Sequence, residues 1–417
     1  MKKCENHKAR LGVFGLGRGE SLLENALLAG AQVVAVCDRD GGKLSHMKEA
    51  HPELETYTEF DPFITSGLDG VVLCNFFHEH VPFAIKALEQ RVAVLSECTP
   101  AATMAEAVEL CRAVRRTGGK YMLAENYPFM CSNLELKRLY EGGTLGRVMY
   151  AEGEYNHPMP HTDINLLAPH RYHWRNYCPS TYYLTHSLAP LMHMTGSMPA
   201  AVNAKSIFTP ELHEGTAKMY GDGAAVMLCE MDNGALFRVT GCAGFGGHGN
   251  WYRLACTKAT AEMVRGQEDK VLLRYNEWDK PEGVETVSTY VPQWPEHGDL
   301  AEKAGHGGGD FWEMYHFVRY ITEDVDPFFN VYRSAAMSAV GILGWRSALN
   351  GGKEYKIPDF TKEEDCLLYE NDHLSPFPDE NGKTTMPCSS RPYEPTREDI
   401  QNAIARWKEM GVKEFGY

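Results

Sequence analysis

Short runs of β-branched and aliphatic residues punctuate the first 126 positions: Leu11–Gly17, Val33–Asp38, Gly70–Asn75, Val92–Glu97 and Tyr121–Asn126. Each is apolar on both faces, as a strand is when helices cover its sheet on both sides. Between them, Ser21–Ala29, Gly42–Ala50, Val81–Gln90 and Met104–Thr117 place apolar residues at helical spacing. Strand and helix alternating at this pitch predict an α/β unit, a doubly wound parallel sheet with right-handed crossovers.

The period changes after Tyr127. Longer alternating segments follow at Arg147–His157, Ala201–Phe208, Ala224–Glu230, Ala235–Gly241, Arg253–Met263 and Lys270–Asn276. Asp232-Asn233-Gly234 is a hairpin signal, because these residues tolerate positive φ. This half predicts an α+β domain with an open, mostly antiparallel sheet, followed by helices over Asp310–Glu323 and Tyr332–Leu349. From Phe360 the chain turns rich in Pro, Asp, Glu and Ser before an amphipathic stretch, Arg397–Met410. The expected division is therefore 1–126, 127–359 and an extension, 360–417.

Charge narrows the function. With 41 Lys+Arg against 56 Asp+Glu, the 417-residue chain carries a formal charge of -15, which argues against a nucleic-acid partner, since duplex affinity comes mostly from basic groups. The uncharged, apolar-leaning run Ser334–Trp345 is far shorter than the roughly 20 residues that span a bilayer, so no membrane partner is expected. The opening MKKCENHKAR has no apolar signal core, and the twelve Cys include no CxxC pair. Reduced thiols and a cytoplasmic location are the expectation.

The chemistry begins at Gly15-Leu16-Gly17-Arg18-Gly19-Glu20, where the first strand meets the first helix. Glycines here let backbone approach a pyrophosphate at a helix N-terminus, and Asp38, at the next strand end, suits the adenosine ribose hydroxyls. The third glycine arrives one residue early, at Gly19, which puts Glu20 where it must point away from a phosphate. The Asp38 carboxylate repels a 2′-phosphate and favours NAD over NADP, with Arg39 pulling the other way.

These residues, with VCDRD, NFFHEH, LSECTPAATMAEAVEL and KYMLAENYPFM, resemble the Gfo/Idh/MocA oxidoreductases. The resemblance runs from about Leu11 to Phe360. It implies an N-terminal Rossmann domain, a C-terminal domain whose open sheet covers the nicotinamide, and a homo-oligomer, dimer or tetramer. It also implies dinucleotide contacts from Gly15, Gly17, Arg18, Gly19, Asp38, Arg39, Asn75, His78, His80, Glu97 and Asn126.

The family's lysine, in an E-K-P motif, is replaced in Glu97-Cys98-Thr99-Pro100, and its H-x-x-D becomes His186 with Ala189. Both departures occur together in the NAD-dependent α-N-acetylgalactosaminidase-like glycosidases, whose Tyr-x-Thr-His stretch Tyr182–Leu191 resembles and whose Gly-His-Gly-Gly-x-Asp motif Gly305–Asp310 matches. Related glycoside 3-oxidoreductases share this pattern. The substrate implied is a sugar or intact glycoside oxidised at a ring hydroxyl, with the glycosidase outcome as the alternative. A sugar- and NAD-sensing regulator is the alternative from another class.

Oxidising a secondary alcohol requires a base for the hydroxyl proton. Tyr183 and His186 are three apart on an expected helix and share a face; with Glu97 they form the expected catalytic set. Trp174, Arg175, Tyr183, His306 and Asp310 are the expected substrate contacts, the Trp-Arg pair by the family resemblance. Six of the seventeen His lie between His157 and His193, but their spacing matches no compact ligand motif, so a polar substrate wall is expected and no metal.

Overall fold

The computed structural model describes residues 8–379 and 381–412, which form two sheets. The first contains β1 (Arg10–Phe14), β2 (Gln32–Cys37), β3 (Glu55–Tyr57), β4 (Gly70–Leu73), β5 (Ala93–Ser96) and β6 (Tyr121–Leu123), all parallel, in the order β3-β2-β1-β4-β5-β6. This is the doubly wound order whose ligands bind at the carboxyl edge, where the strand order reverses between β1 and β4. The helices between the strands begin and end close to the positions that periodicity gave. Met104–Thr117 is helical over its whole expected span because a capping box of Thr103 and Glu106 starts it and Gly118, at φ 63°, ends it.

The second sheet follows the chain as β7 (Val148–Asn156), β8 (Pro199–Phe208), β9 (Asp222–Met231), β10 (Leu236–Thr240), β11 (Gly249–Cys256), β12 (Ala259–Val264), β13 (Gln267–Tyr275), β14 (Val287–Tyr290) and β15 (Tyr355–Lys356). Only the β7–β10 pair is parallel. One expected strand, Arg253–Met263, is two: β11 and β12 pair antiparallel around Thr257 and Lys258. The buried positions change phase across the turn, from Tyr252, Leu254 and Cys256 to Ala259, Ala261 and Met263, a one-residue slip that a reading as one continuous strand passes over.

On this half a helix outside the expected set spans Cys131–Glu141, and the helix expected to carry Tyr183 and His186 spans Thr185–Thr195. The second carries Pro190 inside it, a residue that removes one helical N–H. The helix rests directly on the sheet: a Cβ on Gly153 would stand 2.0 Å from the Ser187 carbonyl oxygen, and one on Gly241 would stand 2.1 Å from that of Ser180. Glycine at both places is a requirement of close approach.

The helix Gly309–Glu323 returns to the first half, where Met314 and Phe317 join the core beneath the parallel sheet. The extension packs as well. Asp372 pairs with Arg346 at 2.5 and 2.7 Å, its carbonyl accepts from the Ala105 N–H, and Phe377 lies 5.9 Å from Phe77 and 5.3 Å from Tyr182, ring to ring. Trp407 is buried, its indole N–H donating to the Asn165 carbonyl. Among the described residues no helix is long and apolar enough to cross a membrane.

Candidate active site

At the carboxyl edge of the first sheet each glycine has its own reason. Gly15 sits at φ 92° with the Cys74 carbonyl where a Cβ would go, and Gly19 packs against Val13 as the helix begins. A Cβ on Gly17 would meet nothing within 4 Å, so the space in front of this turn is open. These are the turn, packing and close-approach roles of a dinucleotide loop; the early glycine serves the packing role, and the loop fits NAD. Glu20 turns outward toward His46, 3.6 Å away. The Asp38 carboxylate accepts from the Leu16 N–H at 2.6 Å and the Asp40 N–H at 2.9 Å, so it braces the loop. Arg39 is exposed.

Arg18 joins this loop to the second half. Its guanidinium donates to Glu97 (3.3 Å), Ser21 (3.0 Å) and Asp310 (2.5 Å) and comes within 3.9 Å of Glu313. Burial opposes the Arg18 charge, but Glu97, Asp310 and Glu313 outweigh it and hold the group protonated. Asp310 also accepts from Asn126 at 2.8 Å and lies 3.1 Å from His306 Nδ1. Burial works against its charge, and His306 and Arg18 overcome it, keeping the carboxyl well below the ordinary range. Asp310 is buried beneath these three partners, while His306 stays exposed at the cavity rim.

His80 is the first residue of the helix that follows β4. It is buried, with Nδ1 at 2.9 Å from the Thr99 carbonyl, and burial pushes its pKa down to about 4. It turns inward, a core histidine behind the loop. His78 lies against Phe377 at 5.3 Å, also pushed to about 4 by burial, and Asn75 donates to the Glu79 carbonyl. The Glu97 carboxylate accepts from the Cys98 N–H as well as from Arg18, and the next helix is capped by Thr103.

A cavity of about 320 Å³ opens from this edge into the second half, lined at its near end by Arg18, Glu97, Asn126, Tyr183, His186 and His306. His186 Nδ1 lies 2.7 Å from Glu125, which is wholly buried at the end of β6. A carboxylate there accepts the Nδ1 proton, which leaves Nε2 with a free lone pair. Pro190 has no N–H to give the His186 carbonyl, and the Tyr252 hydroxyl donates to that oxygen instead. Tyr127 stacks on the imidazole at 4.2 Å, while Tyr155 and Tyr183 approach edge-on at 4.9 and 5.3 Å.

Tyr183 closes a short 3₁₀ turn, Ser180–Tyr183, ahead of the helix that carries His186. The two still meet, by an irregular junction and not by helical spacing. Burial holds the Tyr183 phenol well above its usual range, so it donates and cannot take a proton. Cys98, in the place of the family lysine, points its thiol at Glu125 (3.2 Å) and accepts from Thr185 (3.3 Å). Burial, with Glu125 and Glu97 nearby, keeps that thiol neutral.

Trp174 lies parallel to Phe77 at 4.6 Å, with the Arg175 guanidinium 4.3 Å over its ring, and both residues line the cavity. The six histidines of 157–193 do not converge: His157 and His186 line the cavity, while His193 is packed among Phe129, Phe328 and Phe329. Among the described residues, the metal-competent side chains that come together are Cys98, Glu125 and His186, within 4.8 Å, linked here as a hydrogen-bonded chain. Glu125 was absent from the expected set. Its one signal is a carboxylate between an apolar strand and a Tyr, and a strand read through to Asn126 hides it; β6 ends at Leu123.

Residues 9–125 match the oxidoreductase family, NAD-binding Rossmann fold, residues 133–262 the GFO/IDH/MocA C-terminal domain, and residues 254–365 the glycosyl hydrolase 109 C-terminal domain. A glycosyl hydrolase family 109 protein of Solibacter usitatus is 26% identical over 397 residues, covering 86% of this chain and 89% of that protein. One of Stenotrophomonas maltophilia is 23% identical over 424 residues, with coverage of 86% and 90%. In fold, the chain is similar to an NAD binding oxidoreductase from Klebsiella pneumoniae (TM-score 0.72, 18% identity, 84% and 99% covered). It is similar also to a levoglucosan dehydrogenase solved with NADH and levoglucosan (TM-score 0.70, 18% identity, 84% and 100% covered). Residues 9–125 form an NAD-binding Rossmann domain, and the chain belongs to the Gfo/Idh/MocA oxidoreductases, in a branch resembling the family 109 glycosyl hydrolases.

Proposed function

We propose that this protein oxidises a ring hydroxyl of a sugar or glycoside, at carbon 3, to a keto-glycoside. One observation carries the reading: the buried His186–Glu125 pair, its Nε2 available, in a cavity continuous with the dinucleotide edge. NAD held at that edge would supply the acceptor for the hydride of the carbinol carbon. His186 Nε2 takes the hydroxyl proton, and the Glu125 carboxylate stabilises the imidazolium that forms. Tyr183, a neutral donor at the same corner, orients the reacting oxygen, and Glu97 holds Arg18 at the boundary between the two ligands.

The glycosyl hydrolase 109 match over 254–365 favours a second reading. A ketone at carbon 3 acidifies the hydrogen on carbon 2, elimination releases the aglycone, and water addition and hydride return complete a redox-neutral cycle. Incubating the purified protein with NAD and a glycoside panel in D₂O separates the readings. A keto product with stoichiometric nicotinamide absorbance identifies the oxidoreductase, and aglycone release with deuterium at carbon 2 the glycosidase. Neither product, with sugars still shifting the melting temperature, overturns both in favour of a regulator. The open face of the second sheet, with Ile207, Leu228, Leu236 and Val287 exposed, suits a second copy of the chain, which light scattering tests.

A further inference from the structure

Arg175 and Lys218 put two positive charges on the far wall of the cavity. Arg175 sits in the 3₁₀ turn Trp174–Asn176, and the Met219 N–H donates to the Asn176 carbonyl at 2.7 Å, which lays Lys218 alongside. The Lys218 ammonium lies 5.0 Å from the centre of the Tyr220 ring, and burial and the Arg175 charge together lower its pKa to about 8. Among the described residues no carboxylate pairs with either head group.

The groups around them are accounted for. Asp222 is the carboxylate on that wall, and it already accepts from Ser206 (2.6 Å), from Ser389 (3.3 Å), and from the N–H (2.7 Å) and hydroxyl of Ser390. Burial pushes the Cys178 and Cys242 thiols up to about 12 and about 11, so they bring no negative charge. His213 is pushed down to about 3 by burial and Lys218, and is neutral. Two like charges facing a partly desolvated space repel one another, and an anion placed between them removes both costs.

We infer that Arg175 and Lys218 form a subsite for an oxyanionic substituent of the substrate, a carboxylate, sulfate or phosphate carried by the sugar or its aglycone. This inference rests on the glycoside reading and names the substrate class within it. The oxyanion is held at the far wall while a ring hydroxyl faces His186. The cavity's about 320 Å³ suits one sugar ring with a small substituent.

The test titrates NAD-loaded protein calorimetrically with methyl glucoside, methyl glucuronide, methyl glucoside 6-sulfate and methyl glucoside 6-phosphate, both anomers of each. At least one anion is expected to bind about tenfold or more tighter than the neutral glycoside, since paired charge-assisted contacts are worth that much. The strongest arm identifies the oxyanion. Lys218→Met and Arg175→Met should each collapse the anion-to-neutral ratio, and Lys218→Arg should preserve it. The wild-type ratio decides alone if a variant fails to fold. Equal affinity for all four, or a ratio unmoved in Lys218→Met, overturns the subsite and leaves the glycoside reading intact. Binding of none of the four, with NAD still bound, overturns the glycoside reading and the subsite together.

Discussion

A single imidazole carries most of the proposed chemistry, and its surroundings say how to test it. His186→Ala should cut turnover by about 10²–10⁴-fold, as loss of a general base does, while NAD affinity measured by fluorescence stays close to wild type. Retained activity would remove the residue from the reaction. Glu125→Gln should cost as much as about 10⁴-fold, the loss that follows when the carboxylate setting a catalytic histidine's tautomer becomes an amide, chiefly in kcat. A change confined to KM would instead mark Glu125 as part of the substrate wall. Asp38→Ala tests the other ligand. Since Asp38 also holds the Leu16 N–H, both cofactors should weaken, but NAD more than NADP, because only NAD offers the 2′-hydroxyl. Equal losses would limit Asp38 to bracing the loop.

At the level of elements, the helix Thr185–Thr195 shows how packing rescues a sequence that propensity would reject. Pro190 leaves the His186 carbonyl without its helical donor, and the Tyr252 hydroxyl from β11 replaces it. Tyr252→Phe should therefore destabilise the fold by about 1–3 kcal/mol, the cost of a buried acceptor left unmade, measured by urea unfolding. A stability equal to wild type would show that the carbonyl finds another donor. This helix also marks the limit of what the sequence makes legible. Val33–Asp38 or Met104–Thr117 can be read locally, because period and caps lie within a few residues of one another. The contact of Gly153 with Ser187, or of Glu125 with His186 across 61 positions, depends on two halves meeting and leaves no periodic trace. Asp310 and His80 were legible as chemistry-bearing residues, but which side of the wall they face is decided by Arg18 and by the Thr99 carbonyl.

For the whole molecule, protonation and connectivity set the terms of stability. Burial holds His78, His80 and His316 down to about 4, and His193 and His213 to about 3. The unfolded chain binds protons at these five residues near pH 6.5, well before the native state does. Stability should thus be full above pH 6.5 and fall as pH drops toward 4, visible as a declining melting temperature; a flat profile between pH 7 and 5 would refute it. The extension bears on cooperativity. Glu363 pairs with Arg112 and Arg115, Asp372 with Arg346, and Phe377 seats against Phe77, so one C-terminal segment fastens the helices of both halves around the cavity. Two halves laced in this way have little freedom to part unless the segment itself lets go. The two halves should melt together, in a single calorimetric transition whose measured enthalpy matches its van't Hoff value. In a chain ending before Glu363 the same experiment should resolve two transitions, one for each half released from the other.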